Sequence, residues 1–129
     1  MGEASTPKAT IVVPVYNSAS SIQRCLDSLL AQSERSIQVV CVNDGSADDS
    51  LSILRQIAQN DDRVLVIDQK NAGVSCARNA GIDAAAGDVL FFVDADDYID
   101  AQTVERVLHA MESADAEVAV FGGVCEPAD

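Results

Sequence analysis

Positive charge is scarce in this 129-residue chain, where 8 Lys and Arg stand against 21 Asp and Glu for a formal net charge of −13. A surface this acidic repels a nucleic-acid backbone or an anionic membrane face, so no nucleic-acid partner is expected. An anion could bind only in a locally arranged site or through a bridging cation. No run approaches the roughly eighteen apolar residues that span a bilayer, and Met1 to Thr10 lacks a basic-then-apolar signal pattern, so the chain reads as cytoplasmic. Four cysteines, at 25, 41, 76 and 125, form no Cys-x-x-Cys, and His109 is the single histidine, which excludes a zinc site and a disulfide-stapled scaffold. Cys25 and Cys41 read as small core residues, and His109 as structural or solvated. With only 3 Pro and 7 Gly, collagen and disorder are excluded as well.

What is present suits one domain over residues 1–129, with 1–8 and 123–129 expected to be flexible; a chain of this size buries roughly two thirds of its unfolded surface. Ala9 to Val15 is a β-branched run without alternation, hence a strand buried on both faces. Ile22, Cys25, Leu26, Leu29 and Leu30 recur at helical spacing, with Ser20 or Ser21 as cap. Ile37 to Val42 is a second strand, and Ser46 with Asp49 suggests the cap of a helix carrying Leu51, Leu54, Ile57 and Ala58. Val64 to Ile67 is a third strand. A helix from Val74 to about Ala86 follows, with Gly87 at the left-handed closing position. Val89 to Val93 is a fourth strand, a helix carries Val104, Val107, Leu108 and Met111, and Glu117 to Phe121 is a fifth strand. This alternation predicts an α/β fold, a mainly parallel sheet with helices on both faces.

Ligands of such sheets bind beyond the carboxyl ends of the strands. There the sequence places Tyr16-Asn17, then Asn43-Asp44-Gly45-Ser46, then Asn71-Ala72-Gly73, then Asp94-Ala95-Asp96-Asp97. Three carboxylates within four residues repel one another unless they are solvated or neutralised by a cation. A hard ion such as Mn²⁺ or Mg²⁺ takes oxygen ligands and completes its shell with phosphate oxygens. A helix-capping turn is the plainer account of Asp97 or Asp100. Arg78 shares a helix stripe with Val74, Gly81, Ile82 and Ala85, the stripe that should face the sheet. Its fork either reaches the strand-end acids or a bound diphosphate, or snorkels from the stripe's edge. Gly81 implies close packing on a strand.

Together these residues resemble the donor-binding part of a family 2 glycosyltransferase. The pieces are Val13-Pro14-Val15-Tyr16-Asn17, Asn43-Asp44-Gly45-Ser46-Ala47-Asp48, Asn71-Ala72-Gly73 through Ala77-Arg78-Asn79-Ala80-Gly81, and Phe92-Val93-Asp94-Ala95-Asp96-Asp97, in that order along nearly the whole chain. The resemblance implies the Rossmann-like GT-A nucleotide-diphospho-sugar transferase fold. It also implies a nucleotide-sugar site built from Pro14, Val15, Tyr16, Asn17, Asp44, Gly45, Asn71, Arg78, Asp94 and Ala95. In it Val15 and Tyr16 would hold the base, Asp44 would accept a hydrogen bond from that base, and Asp94 would touch the ribose or sugar. Asp96, assisted by Asp94 in a DxD motif, would hold the Mn²⁺ or Mg²⁺.

The implied activity is a hexosyltransferase-type transfer, with inversion, from a UDP-linked sugar to a glycan or lipid-linked acceptor in cell-surface polysaccharide synthesis, at the cytoplasmic face of the membrane. The resemblance puts the catalytic base beyond Asp129, so the chain reads as a donor-binding fragment with no identifiable base. It also puts an antiparallel strand beside strand four; without it an open edge invites self-association. A non-catalytic sugar-nucleotide-binding or assembly module is the alternative. A phosphoacceptor receiver module is disfavoured, since strand one ends in Tyr16-Asn17 and no Lys follows Lys70. A nucleotidyltransferase is disfavoured because no Gly-rich basic loop follows strand one.

Overall fold

The chain folds, in a computed structural model that describes residues 6–114, around four strands joined by helices. In order they are β1 Ala9–Val15, α1 Ile22–Leu30, β2 Ile37–Asp44, α2 Ser50–Asn60, β3 Val64–Gln69, α3 Val74–Ala84, β4 Val89–Phe92 and α4 Thr103–Ala114. The strands pair in parallel in the order β3-β2-β1-β4. Val15 lies opposite Asn43, and Asn43 opposite Asp68, so the carboxyl ends of β1, β2 and β3 finish level and their loops meet at one rim.

The lack of alternation in β1 and β2 reflects burial on both faces: Ile11, Val12, Val13, Val39, Val40 and Cys41 have no exposed surface. On one face Ile11, Val13, Val39 and Cys41 pack with Ile22, Leu26 and Leu29 of α1, Leu54 of α2 and Val104 of α4. On the other, Val40 and Val42 meet Ala77, Ala80 and Ala84 of α3. Small residues let α3 lie close to the sheet. A Cβ on Gly81 would stand 2.3 Å from Val12 Cγ1, which is the close strand packing that this glycine implied.

The structure departs from the expected pattern in four places. The face of α3 turned to the sheet is Ala77 and Gly81, whereas Val74 and Ile82 are exposed, so the stripe is rotated from the one anticipated and Arg78 stands at its edge. The helix ends at Ala84, and Gly87 is not left-handed; it is needed because a Cβ there would press within 2.6 Å of the Ala9 carbonyl carbon. Ser21 makes no side-chain cap, and the Ser46–Asp49 cap does not form: Ser46 Oγ accepts from Asn17 instead, and Asp48 Oδ1 takes the N–H of Ser50 at the start of α2. Strands β2 and β3 run two residues further than the apolar runs, because ladder bonding continues through Asn43-Asp44 and Asp68-Gln69. The fifth strand, Glu117 to Phe121, lies outside the described residues.

Among the described residues β4 pairs only with β1, and its Leu90 and Phe92 stay exposed. No helix in the described residues is long and apolar enough to cross a membrane.

Candidate functional site

Two loops at the rim are stitched together. Past β1 the chain turns at Asn17, a left-handed residue at φ 49°, a conformation that Asn tolerates better than most non-glycine residues. The Asn17 N–H donates to Ser46 Oγ at 2.9 Å, and the Ala47 N–H donates to Asn17 Oδ1 at 2.7 Å. Ser18 N–H donates to Ser50 Oγ, and Ala19 N–H donates to Asp48 Oδ2. Asp48 Oδ1 accepts from both the N–H and the hydroxyl of Ser50, bonds that hold the Asp48 carboxyl below its ordinary pKa. This stitching presents the Tyr16 ring at the rim, 55% exposed.

Asp44 is a second junction. Burial pushes its carboxyl up in pKa, but hydrogen bonds from Gln69 and from the Ala72 and Gly73 amides outweigh that and leave it lowered. Oδ1 accepts from Gln69 Nε2 at 2.9 Å and from Ala72 N–H at 2.8 Å. Oδ2 accepts from Gly73 N–H at 3.0 Å and, at 3.4 Å, from Asn71 Nδ2. The end of β2 thereby clamps the turn that opens α3. Gly45, at φ 73°, lets that turn approach: a Cβ there would lie 2.7 Å from the Asn71 nitrogen. Next to it Asn43 donates to Asp68 Oδ1 at 3.0 Å, while its own Oδ1 is buried with no partner among the described residues.

After β4 comes the acidic turn, closed by the Asp97 N–H on the Asp94 carbonyl at 3.0 Å. Carboxylate oxygens of Asp94, Asp96 and Asp97 lie within 4.8 Å of one another. Burial, then the charges of Asp96 and Asp94, raise the Asp97 carboxyl. Three hard oxygen donors converging under mutual repulsion fit a divalent cation such as Mn²⁺ or Mg²⁺. Arg78 Nη2 stands 3.8 Å from Asp94 Oδ1, both side chains being well exposed, so the guanidinium reaches the strand-end acids without the burial anticipated for it.

A pocket of about 720 Å³ joins these parts. Of the residues anticipated from sequence, Pro14, Val15, Tyr16, Asn17, Asp44, Asn71, Asp94, Ala95 and Asp96 line it. Gly45 supports Asn71 from behind, and Arg78 borders the acidic turn. The wall also includes Ser18, Ser20, Ser21, Gly73, Val74 and Ala77, which sequence reasoning missed. Their signal was positional, since each directly follows a strand-end motif or opens a helix beside one. A second groove of about 960 Å³ lies away from this rim, against Lys8, Glu34, Asp88, Arg106 and His109. It mixes both signs of charge without a converging donor set. His109 is exposed, as a solvated residue should be.

Comparison with known proteins gives a consistent family. The sequence model of Glycosyl transferase family 2 matches residues 10–127. Glycosyltransferase GlyA of Streptococcus pneumoniae serotype 4 is 42% identical over 113 residues, covering 88% of this chain and 16% of that protein. Among solved structures, TarS 1–349 of S. aureus in complex with UDP-GlcNAc superposes with a TM-score of 0.73 at 31% identity, over 82% of this chain and 31% of that 1–349 chain. Mannosyltransferase PcManGT from Pyrobaculum calidifontis, in complex with GDP-Man and Mn²⁺, superposes with a TM-score of 0.72 at 26% identity, over 84% of this chain and 32% of its own. The chain thus spans a third or less of the length of these proteins.

Proposed function

The chain belongs to glycosyl transferase family 2, and from that membership we propose that it binds a nucleoside-diphosphate sugar, UDP-linked, in the rim pocket and serves its transfer to a glycan or lipid-linked acceptor. The observation that carries the proposal is the pocket itself, which has an exposed aromatic ring at Tyr16 and a carboxylate trio at Asp94 to Asp97. Tyr16 and Val15 receive the base. Asp44 accepts one base N–H by taking the place of its weakest donor, Asn71 Nδ2 at 3.4 Å. Asp94 meets the ribose or sugar, and Arg78 the diphosphate.

Asp96 and Asp94 are the carboxylates that would hold a Mn²⁺ or Mg²⁺ ion. A bound divalent cation stabilises, as a Lewis acid, the charge that grows on the leaving diphosphate. An anionic diphosphate would otherwise meet only repulsion from the trio, so binding in this acidic chain must depend on the ion. The proposed transfer is hexosyl, inverts the anomeric centre and takes place at the cytoplasmic face of the membrane. The base that deprotonates the acceptor hydroxyl is assigned to none of the described residues. Self-association through the β4 side of the sheet is part of the proposal, supported by the exposed apolar side chains of Leu90 and Phe92.

Calorimetric titration with UDP and GDP, with and without Mn²⁺, tests the donor site. UDP should bind with Mn²⁺ and bind far more weakly without it, and Asp96→Ala should abolish that dependence. No diphosphate binding by the wild-type chain, or an unchanged Asp96→Ala, overturns the assignment. For the β4 edge, sedimentation should give a dimer or larger, and a clean monomer at high concentration rejects it.

A further inference from the structure

We infer that a polar stripe of α1 and its C-terminal extension, Ser21, Cys25, Ser28 and Gln32, moulds the backbone of the acidic turn and so sets the spacing of its carboxylates. The four are spaced by four, three and four residues, which brings them to one side of the helix. Ser21 Oγ donates to the Ala95 carbonyl at 3.0 Å, and Cys25 Sγ to the Asp94 carbonyl at 3.6 Å. Ser28 Oγ accepts from the Ile99 N–H at 3.2 Å while donating to the Cys25 carbonyl at 2.7 Å. Gln32, 1% exposed, donates through Nε2 to the Asp100 carbonyl at 2.7 Å and accepts the Val104 N–H through Oε1 at 3.0 Å. The Arg24 guanidinium adds a stacking contact, 4.4 Å above the Tyr98 ring.

Residues 94–102 lie outside every helix and strand, and the stripe binds three of their carbonyls and the Ile99 N–H. All of its bonds to the segment go to main-chain groups. The carboxylates of exposed Asp94 and Asp96 and half-buried Asp97 are therefore left out of these bonds while their carrier is held against mutual repulsion. These four are positioning residues; Ser21 also lines the pocket, whereas Cys25, Ser28 and Gln32 stand behind its wall. This inference rests on the donor-site reading for what the carboxylates hold, but its geometry does not.

The test compares Ser21→Ala, Ser28→Ala and the conservative Ser28→Thr with Ile57→Val, a core change on α2 away from the stripe. Amide hydrogen exchange is followed at Asp97, Ile99 and Val104, and Mn²⁺ affinity by electron paramagnetic resonance of the free ion, with and without UDP. Ser28→Ala should speed Ile99 exchange, and both alanine variants should weaken Mn²⁺ binding by about fivefold, the worth of one neutral hydrogen bond. Ser28→Thr should restore both, and Ile57→Val should change neither despite a lower melting temperature. Alanine variants that behave as Ile57→Val does overturn the inference. A wild-type chain that binds no Mn²⁺ defeats the donor-site reading, and the exchange rates alone then decide for or against the stripe.

Discussion

The guanidinium of Arg78 lies 3.8 Å from the carboxylate of Asp94, linking α3 to the turn after β4 across solvent-exposed space. An exposed pair at this distance adds little to stability, typically below about 1 kcal/mol. Its value lies in charge placement, since it is a cation beside acids that must accommodate a diphosphate. Arg78→Ala is expected to leave the urea midpoint almost unchanged while reducing UDP affinity in Mn²⁺ by roughly tenfold, as loss of one charge-assisted contact should. Calorimetry alongside urea unfolding checks both halves, and an unaltered affinity rejects the role.

Ser46 gives a second handle, because its hydroxyl accepts the N–H of left-handed Asn17 and so fixes the loop that carries Tyr16. Ser46→Ala should cost about 0.5–1.5 kcal/mol of stability at most and weaken UDP binding by several fold through a looser Tyr16. With no Trp and two Tyr in the chain, a Tyr98→Phe background makes Tyr16 the sole intrinsic fluorophore of its kind. Its emission should report UDP binding directly. Equal affinities for the two proteins would show that the stitching does not matter to the ring.

Gly81→Ala probes packing rather than chemistry. Alanine favours the helix by about 1 kcal/mol, but its methyl would stand 2.3 Å from Val12 Cγ1. Overpacking of that kind costs about 1–3 kcal/mol, so the variant should be destabilised, and Val12→Ala should recover part of the loss. A double-mutant cycle by denaturant melts measures the coupling; additive effects contradict the contact.

Acid sensitivity follows from carboxylates shifted in opposite directions. Asp44, Asp48 and Asp61 have lowered values in the fold, so the stability they confer is present above the unfolded value of about 3.9 and is lost as pH falls through their folded values. Asp97 is raised, so its contribution is full below about 3.9 and disappears as pH rises through its folded value. Urea midpoints should therefore drop as pH is taken below about 4. Asp97→Asn should raise the midpoint at pH 7 and give no gain at pH 3. A variant that gains equally at both would remove the electrostatic explanation.

The strands and most helices were legible because their apolar runs are buried as the pattern implies, on both faces in β1 and on one face of α1 through Leu26 and Leu29, α3 being the exception with Val74 and Ile82 exposed. The rim was legible because polar motifs at strand ends have few other reasons to fall at the same places. What stayed hidden is cross-loop bonding. Ser46 with Asp49 reads as a cap when only neighbours in sequence are weighed, yet the Ser46 hydroxyl is spent on Asn17 far back in the chain, and Asp48 is shared between Ala19 and Ser50. Asp44 reads as a free base acceptor, yet in the fold its oxygens already face Gln69, Asn71, Ala72 and Gly73. Cys25 reads as plain core and is largely that, its thiol pushed up to about 12 by burial first and then by Asp97, Asp96 and Asp94. Its bond to the Asp94 carbonyl depends on a partner 69 residues away that no local pattern announces.

The internal place of β1 in the sheet also governs when the pocket comes into being. Tyr16 and Asp96 share a wall only after β4 has docked on β1, a pairing that closes a loop from Ala9 to Val89. Contacts of such long range form late and slowly. Any partly folded chain with β1, β2 and β3 alone has no acidic wall, so a ligand of this pocket distinguishes the finished sheet from every earlier stage. Its binding energy accrues wholly to the native state, shielding the protein from unfolding in proportion to ligand supply.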